Sequence, residues 1–290
     1  MTRWILGCLI VVLFLTLAGC ETRLGQRLVV SEPAEPLPRG PEFRAGAVQL
    51  GTSVRGEPIY VREHGRGAAR LLVIGLIHGD EAEVYERFDD LWLRLATAGY
   101  GDRLTVAGIA TMNPDGFAMG RRGNANGVDL NRNWPARNFR ASTVHGADPL
   151  SEPEVAAVHR FIERFGPDAI VVFHSTAGGP FVDPDGPEPL SGVLAEAFVR
   201  GARAADPSWR VHAEFTNPAG SMGTWFGGSV GRPILTVELR PGTPGSEALS
   251  AATAGLFGVM RAMSRGDQSL SAPSSVSRSN SSSGSPSSSL

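Results

Sequence analysis

Leu71-Leu72-Val73-Ile74-Gly75-Leu76-Ile77-His78-Gly79-Asp80-Glu81 is the stretch that decides the fold. Leu71–Ile77 is short and wholly apolar, as is a strand buried on both faces in a sheet covered by helices. It runs into a histidine and, three residues on, a carboxylate. Glu81–Thr97 then carries Tyr85, Phe88, Trp92 and Leu95 at helical spacing, so a helix is expected from Glu81.

Working outward, Ala47–Leu50 and Pro58–Arg62 flank a turn at Gly56 and read as a hairpin. Leu104–Ala110 is the next strand, and Ala169–Phe173 and Pro233–Leu239 are further buried strands. Ser151-Glu152-Pro153-Glu154 has the form of a capping box opening a helix to Phe165, and Leu190–Ala205 and Ser246–Met263 are helical. The fold class that follows is α/β: a single domain over residues 43–263, with a central, mixed, mostly buried sheet flanked by helices. His78, His174 and Glu238 fall at or just past strand C-termini, where such sheets place their sites.

The chain of 290 residues is 42% hydrophobic, enough for a full core. Its formal net charge of −2 gives no footprint for nucleic acid, and all 27 basic residues are arginine. Met1–Arg3 is a positive start and Trp4 to Leu17 is nearly all apolar, ending in Leu17-Ala18-Gly19-Cys20. That pattern reads as an export signal over residues 1–19. The small residues resemble a bacterial lipobox, which would put a lipid on Cys20 and tie the protein to a membrane facing the periplasm or cell exterior. Glu21, in place of the aspartate associated with inner-membrane retention, favours the outer membrane. An uncleaved anchor is the alternative. Cys8 and Cys20 are the only cysteines, so no disulfide is expected in the exported part. Residues 20–42, with four prolines, read as a linker, and the serine-rich residues 264–290 as a disordered tail.

A histidine and a carboxylate three apart can face one metal ion, but alone the pair is a common one. Its context is specific. Asn113-Pro114-Asp115-Gly116 follows a strand, and then comes Arg121-Arg122-Gly123-Asn124-Ala125-Asn126-Gly127-Val128-Asp129-Leu130-Asn131-Arg132-Asn133-Trp134-Pro135. Further on stand Val172-Phe173-His174-Ser175 and Thr236-Val237-Glu238-Leu239. In this order the motifs resemble the M14 zinc carboxypeptidases, from Gly51-Thr52-Ser53 to Glu238. The resemblance implies one zinc ion on His78, Glu81 and His174, leaving a position for water. It implies Asp129 behind His78, Glu238 as general base and Arg122 as the oxyanion arginine, with Arg121 the alternative. It assigns Asn131 and Arg132 to the substrate's terminal carboxylate, and Met222 to the pocket for its side chain. Independently of the family, an acid such as Glu238 at the end of a buried apolar strand is costly without a purpose.

The stretch Phe215-Thr216-Asn217-Pro218-Ala219 lacks the capping tyrosine of the pancreatic branch. Gly220-Ser221-Met222-Gly223-Thr224-Trp225 looks like the murein peptide amidase branch, which implies a murein-peptide substrate and its γ-D-glutamyl–meso-diaminopimelate bond. The alternative within the class is a carboxypeptidase for ordinary peptides with apolar C-termini. The alternative outside it is an inactive, wall-binding lipoprotein. His64, His145, His159 and His212 match no motif, and Trp134 and Trp225 read as packing residues.

Overall fold

A computed structural model describes residues 46–212 and 218–265. The signal, Cys20, the linker up to residue 42, the tail from residue 266 and Phe215–Asn217 lie outside the described residues. Among the described residues no helix is long and apolar enough to cross a membrane.

Eight strands form one mixed sheet in the order β1-β2-β4-β3-β5-β8-β6-β7. They are β1 Ala47–Thr52, β2 Pro58–His64, β3 Ala69–Ile74, β4 Leu104–Ile109, β5 Ala169–Ser175, β6 Phe181–Asp185, β7 Arg210–Val211 and β8 Ile234–Leu239. The four central strands, β4, β3, β5 and β8, run parallel. The hairpin β1–β2 is antiparallel, as is the pairing of β6 with β8.

Side chains alternate across a strand, and here the alternation sorts the molecule into two layers. Leu71, Val73, Val171, Phe173, Leu235 and Val237 face one core. It is closed by α1 Phe88–Thr97, α4 Leu190–Ala202 and α5 Gly245–Ser264. Leu72, Ile74, Ile170, Val172 and Ile234 face the other, closed by α3 Pro153–Phe165 and by Trp134, Met222, Trp225 and Phe226. Trp134 and Trp225 stack there with ring centroids 4.9 Å apart. By the same parity His174, Thr236 and Glu238 belong to the second layer.

Three local expectations need correction. Glu81 is not helical: it sits in a turn, a short 3-10 segment at Tyr85–Arg87 follows, and α1 starts at Phe88. Gly79 is packed so closely on Gly116 and Phe117 that a Cβ would overlap their backbone, which holds this turn down onto the next loop. Ser151 does not cap α3. The cap position is Glu152, without a side-chain cap bond, because tertiary partners take both acids of the motif. Glu154 accepts from Val54 N (3.0 Å) and Asn124 (3.1 Å), and Glu152 accepts from Asn124 (2.7 Å) and Asn126 (2.9 Å). Finally, β6, β7, the short helix α2 Pro114–Met119 and a π-helical turn at Thr224–Val230 were not anticipated.

Candidate active site

The site is assembled at the C-terminal edge of the parallel strands. His78 lies four residues past the end of β3, His174 is near the end of β5, and Glu238 is its register partner on β8. The turn after β3 swings Glu81 back to His174. Glu81 Oε1 lies 2.9 Å from His78 Nδ1, and Oε2 lies 2.8 Å from His174 Nδ1 and accepts from Ser175 N at 3.2 Å. The two ring nitrogens face each other at 3.0 Å. Two imidazole nitrogens and a carboxylate on one point satisfy each other only through a shared proton or a cation, and one donor atom from each of the three residues lies within 4.8 Å of the others. This donor set, two nitrogens and an oxygen, fits zinc.

Asp129 stands behind the group. Its Oδ1 is 3.1 Å from His78 Nε2, so the ring's Nδ1 is turned to the shared point. Its Oδ2 accepts from Arg122 Nε at 3.0 Å, and Arg122 Nη1 donates to Glu81 Oε1 at 3.0 Å. Burial works against charge here, but the contacts win. Hydrogen bonds with His174 and His78 drive Glu81 well below the carboxylate range, and the bond to His78 does the same for Asp129. Buried His78 is raised by its bonds to Asp129 and Glu81. Arg122 thus lies in the site and lines its cleft, whereas Arg121 is not among the cleft-lining residues.

The loop carrying Arg122, Asp129, Asn131 and Arg132 is fastened from outside by the asparagine contacts to Glu152 and Glu154. Asn133 adds bonds to His145 O, Asp148 O and Ser151 Oγ. Asn131 Oδ1 accepts from Met222 N (2.9 Å), and its Nδ2 is 3.5 Å from His174 Nε2. Arg132 donates to Asn131 O (2.8 Å) and, among the described residues, pairs with no acid.

Glu238 Oε2 is buried and, among the described residues, has no hydrogen-bond partner. Burial lifts its pKa, His174 opposes the rise and Glu81 reinforces it. It lines a cleft of about 220 Å³ together with His78, Glu81, Arg122, Asn131, Arg132 and His174. Met222 does not line it: its side chain is in the second core, 1% exposed, while its neighbours Ser221 and Gly223 reach the cleft. Sequence reasoning also passed over Asp183 and Asp185, which line the cleft from β6. The signal available was two acids two residues apart, on one face of any strand.

A carboxylate with a raised affinity for protons, set beside ligands that leave a metal room for water, is suited to moving a proton off that water. The class so defined is a metal-dependent hydrolase on an α/β scaffold. The family description Zinc carboxypeptidase, Peptidase_M14, matches residues 42–180. Murein peptide amidase A of Escherichia coli (strain K12) is 34% identical over 173 residues, covering 54% of this chain and 69% of that one. Murein peptide amidase A of Vibrio campbellii (strain ATCC BAA-1116) is 32% identical over 216 residues, covering 69% and 81%. The crystal structure of murein-tripeptide amidase MpaA from Escherichia coli O157 superposes with a TM-score of 0.53 at 28% identity, over 75% of this chain and 91% of that one. The chain belongs to the zinc carboxypeptidase family, Peptidase_M14. Family membership and the assembled donor group make it a zinc metallopeptidase.

Proposed function

We propose that this chain hydrolyses a peptide or isopeptide bond next to a free carboxylate, with one zinc ion on His78, Glu81 and His174, and that murein peptides ending in diaminopimelate are its substrates. The observation that carries the reading is the charge layout of one cleft, in which the Glu238 carboxylate and the Arg132 guanidinium are both presented, neither in an ion pair among the described residues. The amidase relatives support the substrate class. Met222 fitted an apolar side chain and the aliphatic stem of diaminopimelate alike, so its burial favours neither substrate.

Bound zinc supplies a Lewis acid that polarises the scissile carbonyl and acidifies a water. Glu238 Oε2 accepts the proton that the water loses as its oxygen attacks the carbonyl carbon, then returns it to the leaving nitrogen as the C–N bond breaks. Arg122 stabilises the oxyanion, from a position fixed by Asp129. Asn131 and Arg132 hold the terminal carboxylate, Arg132 through its planar fork. Asp129 fixes the ring orientation of His78. Residues 1–42 support export and a lipid on Cys20, with the outer membrane favoured, which would place the enzyme among wall fragments.

The test is incubation of the zinc-loaded protein with the wall tripeptide L-alanyl-γ-D-glutamyl-meso-diaminopimelate, with peptides of varied C-terminus, and with the C-terminal amide of each, followed by mass spectrometry. Release of diaminopimelate from the free acid, and little from its amide, is expected. Equal cleavage of acids and amides would overturn the reading.

A further inference from the structure

The outer face of the first layer carries a feature that the chemistry above does not use. α4 and α5 pack with their backbones almost touching: a Cβ at Gly201 would overlap Ala254 O, and one at Gly258 would overlap Ala197 O. These pairings run in opposite directions along the two helices, so the helices are antiparallel. Because the residues of the seam are small, its outer side is a groove of about 460 Å³ and not a ridge. Phe257 and Ala262, both half-buried, line it with Ala254 and the two glycines. Val193, 38% exposed, stands one turn before Ala197 on the same stripe of α4.

Three arginines rim this apolar floor. Arg200 lies on one side, and Arg261 and Arg265 lie one turn apart on the other. All three are exposed, and among the described residues none of their side chains has a hydrogen bond or an ion pair within 4.0 Å. Several arginines elsewhere are tied to acids: Arg62 to Asp89, Arg66 to Asp102, Arg87 to Asp90 and Arg240 to Asp206. With a net charge of −2 for the whole chain, the cluster is a local feature and not part of a general basic excess. Arg200 and Arg261 each occupy the last turn of a helix, where a cation suits the dipole. That preference is met at any angle around the helix axis, so it does not explain three arginines turned to one seam. The acid Glu247 stands at the far end of the seam, beside Ala204 and Ser246.

Guanidinium groups above an apolar floor suit a phosphate headgroup with hydrocarbon beside it. The planar fork takes the phosphate, and the aliphatic stem stays in the apolar zone. A soluble anion would engage the rim alone and leave the floor in water. We propose that this seam is a docking face for a membrane surface that contains anionic phospholipid. α4 and α5 cover the first core, whereas His174, Thr236 and Glu238 present the cleft on the second layer, so a bilayer at the seam leaves the cleft free. The proposal depends neither on the hydrolase reading nor on a lipid at Cys20.

The experiment measures partition of the full chain onto sucrose-loaded vesicles by sedimentation. One set is phosphatidylcholine alone, and the other is phosphatidylcholine and phosphatidylglycerol in equal parts. An acyl or peptide anchor contributes equally to both sets, so the ratio of the two partition coefficients reads the seam. The expected ratio is about tenfold or more at low salt. It should fall toward one as salt is added, and in the triple variant Arg200→Gln, Arg261→Gln, Arg265→Gln. The control variant Arg55→Gln, Arg103→Gln, Arg160→Gln removes the same charge from exposed arginines on other elements, and should keep the unmutated ratio. A ratio near one for the unmutated chain, or equal losses in the two triple variants, overturns the proposal. Release from the anionic vesicles by glycerol phosphate, at the phosphate concentration of the lipid, also overturns it, since the seam would then take a soluble anion. Should the seam triple not fold, Arg200→Gln and Arg261→Gln singly decide, each expected to lower the ratio by about half or more.

Discussion

His174 and Glu238 are register partners on parallel β5 and β8, so a metal donor and an unpartnered carboxylate are held side by side by backbone hydrogen bonds. Glu238 is therefore separable from the metal group. Glu238→Gln keeps the shape and removes the proton acceptor. It should lower kcat by ~10²–10⁴ and leave bound zinc, read by plasma mass spectrometry, near that of the unmutated protein. Loss of zinc along with activity would show that Glu238 helps to build the metal site.

Arg132 meets a charge present before the reaction starts. Arg132→Ala should raise KM for free-acid substrates far more than it lowers kcat. Amidating the substrate should reproduce the effect and add little on top of it, since both changes remove one contact. Additive losses would place the carboxylate elsewhere.

Asp129 holds both His78 and Arg122. Asp129→Asn should weaken zinc binding by about 10–100-fold, as measured by competition with a chelator, because the orientation of the His78 ring is no longer enforced by a charge. An unchanged zinc affinity would limit Asp129 to positioning Arg122.

Asp185 has a stability signature with a definite sign. Its folded pKa is raised from 3.8 to about 7, so the fold prefers the protonated acid. The penalty is absent below the unfolded value, accumulates as pH rises between the two, and is constant above about 7. Asp183 faces it with a like charge, and His212 acts on Asp183. Asp185→Asn should therefore raise the melting temperature at pH 8 by roughly 2–4 °C or more and do little at pH 4. An equal gain at both values would mean that something other than charge burial is relieved.

Cys20→Ser should abolish incorporation of labelled fatty acid in a bacterial host and leave the precursor unprocessed by lipoprotein signal cleavage. Labelling that persists would refute the lipid anchor.

The strands most legible in the sequence are the central ones. Leu71–Ile74 and Ala169–Phe173 are apolar at every position, and Ile234–Val237 at every position but Thr236, because both faces of these strands are covered. His78, Glu81 and His174 were legible for a different reason, the sharp change from such a run to metal-donor side chains. β6 was not. It is short, carries two acids and Pro184, and pairs with β7 only at Phe181 and Val182, so the proline lies beyond that pair, where a missing N–H is tolerated. The late start of α1 and the inward turn of Met222 were hidden for a related reason. Both are set by long-range packing, the first at Gly79 on Gly116 and the second in the apolar layer beside Trp225, with no local sequence signal for either.

The alternation that separates the two layers also restricts how this site can diverge. On β6 and β8, Val182, Leu235 and Val237 belong to a packed core, whereas Asp183, Asp185, Thr236 and Glu238, on the opposite face, line the cleft. A descendant can acquire a new substrate by substitution at 183, 185 or 236 without disturbing Val182, Leu235 or Val237. An insertion or deletion of a single residue in either strand would instead exchange the two sets, sending acids into the apolar layer and valines into the cleft. Diversification is thus confined to a two-residue cadence, with length changes left to the connecting loops.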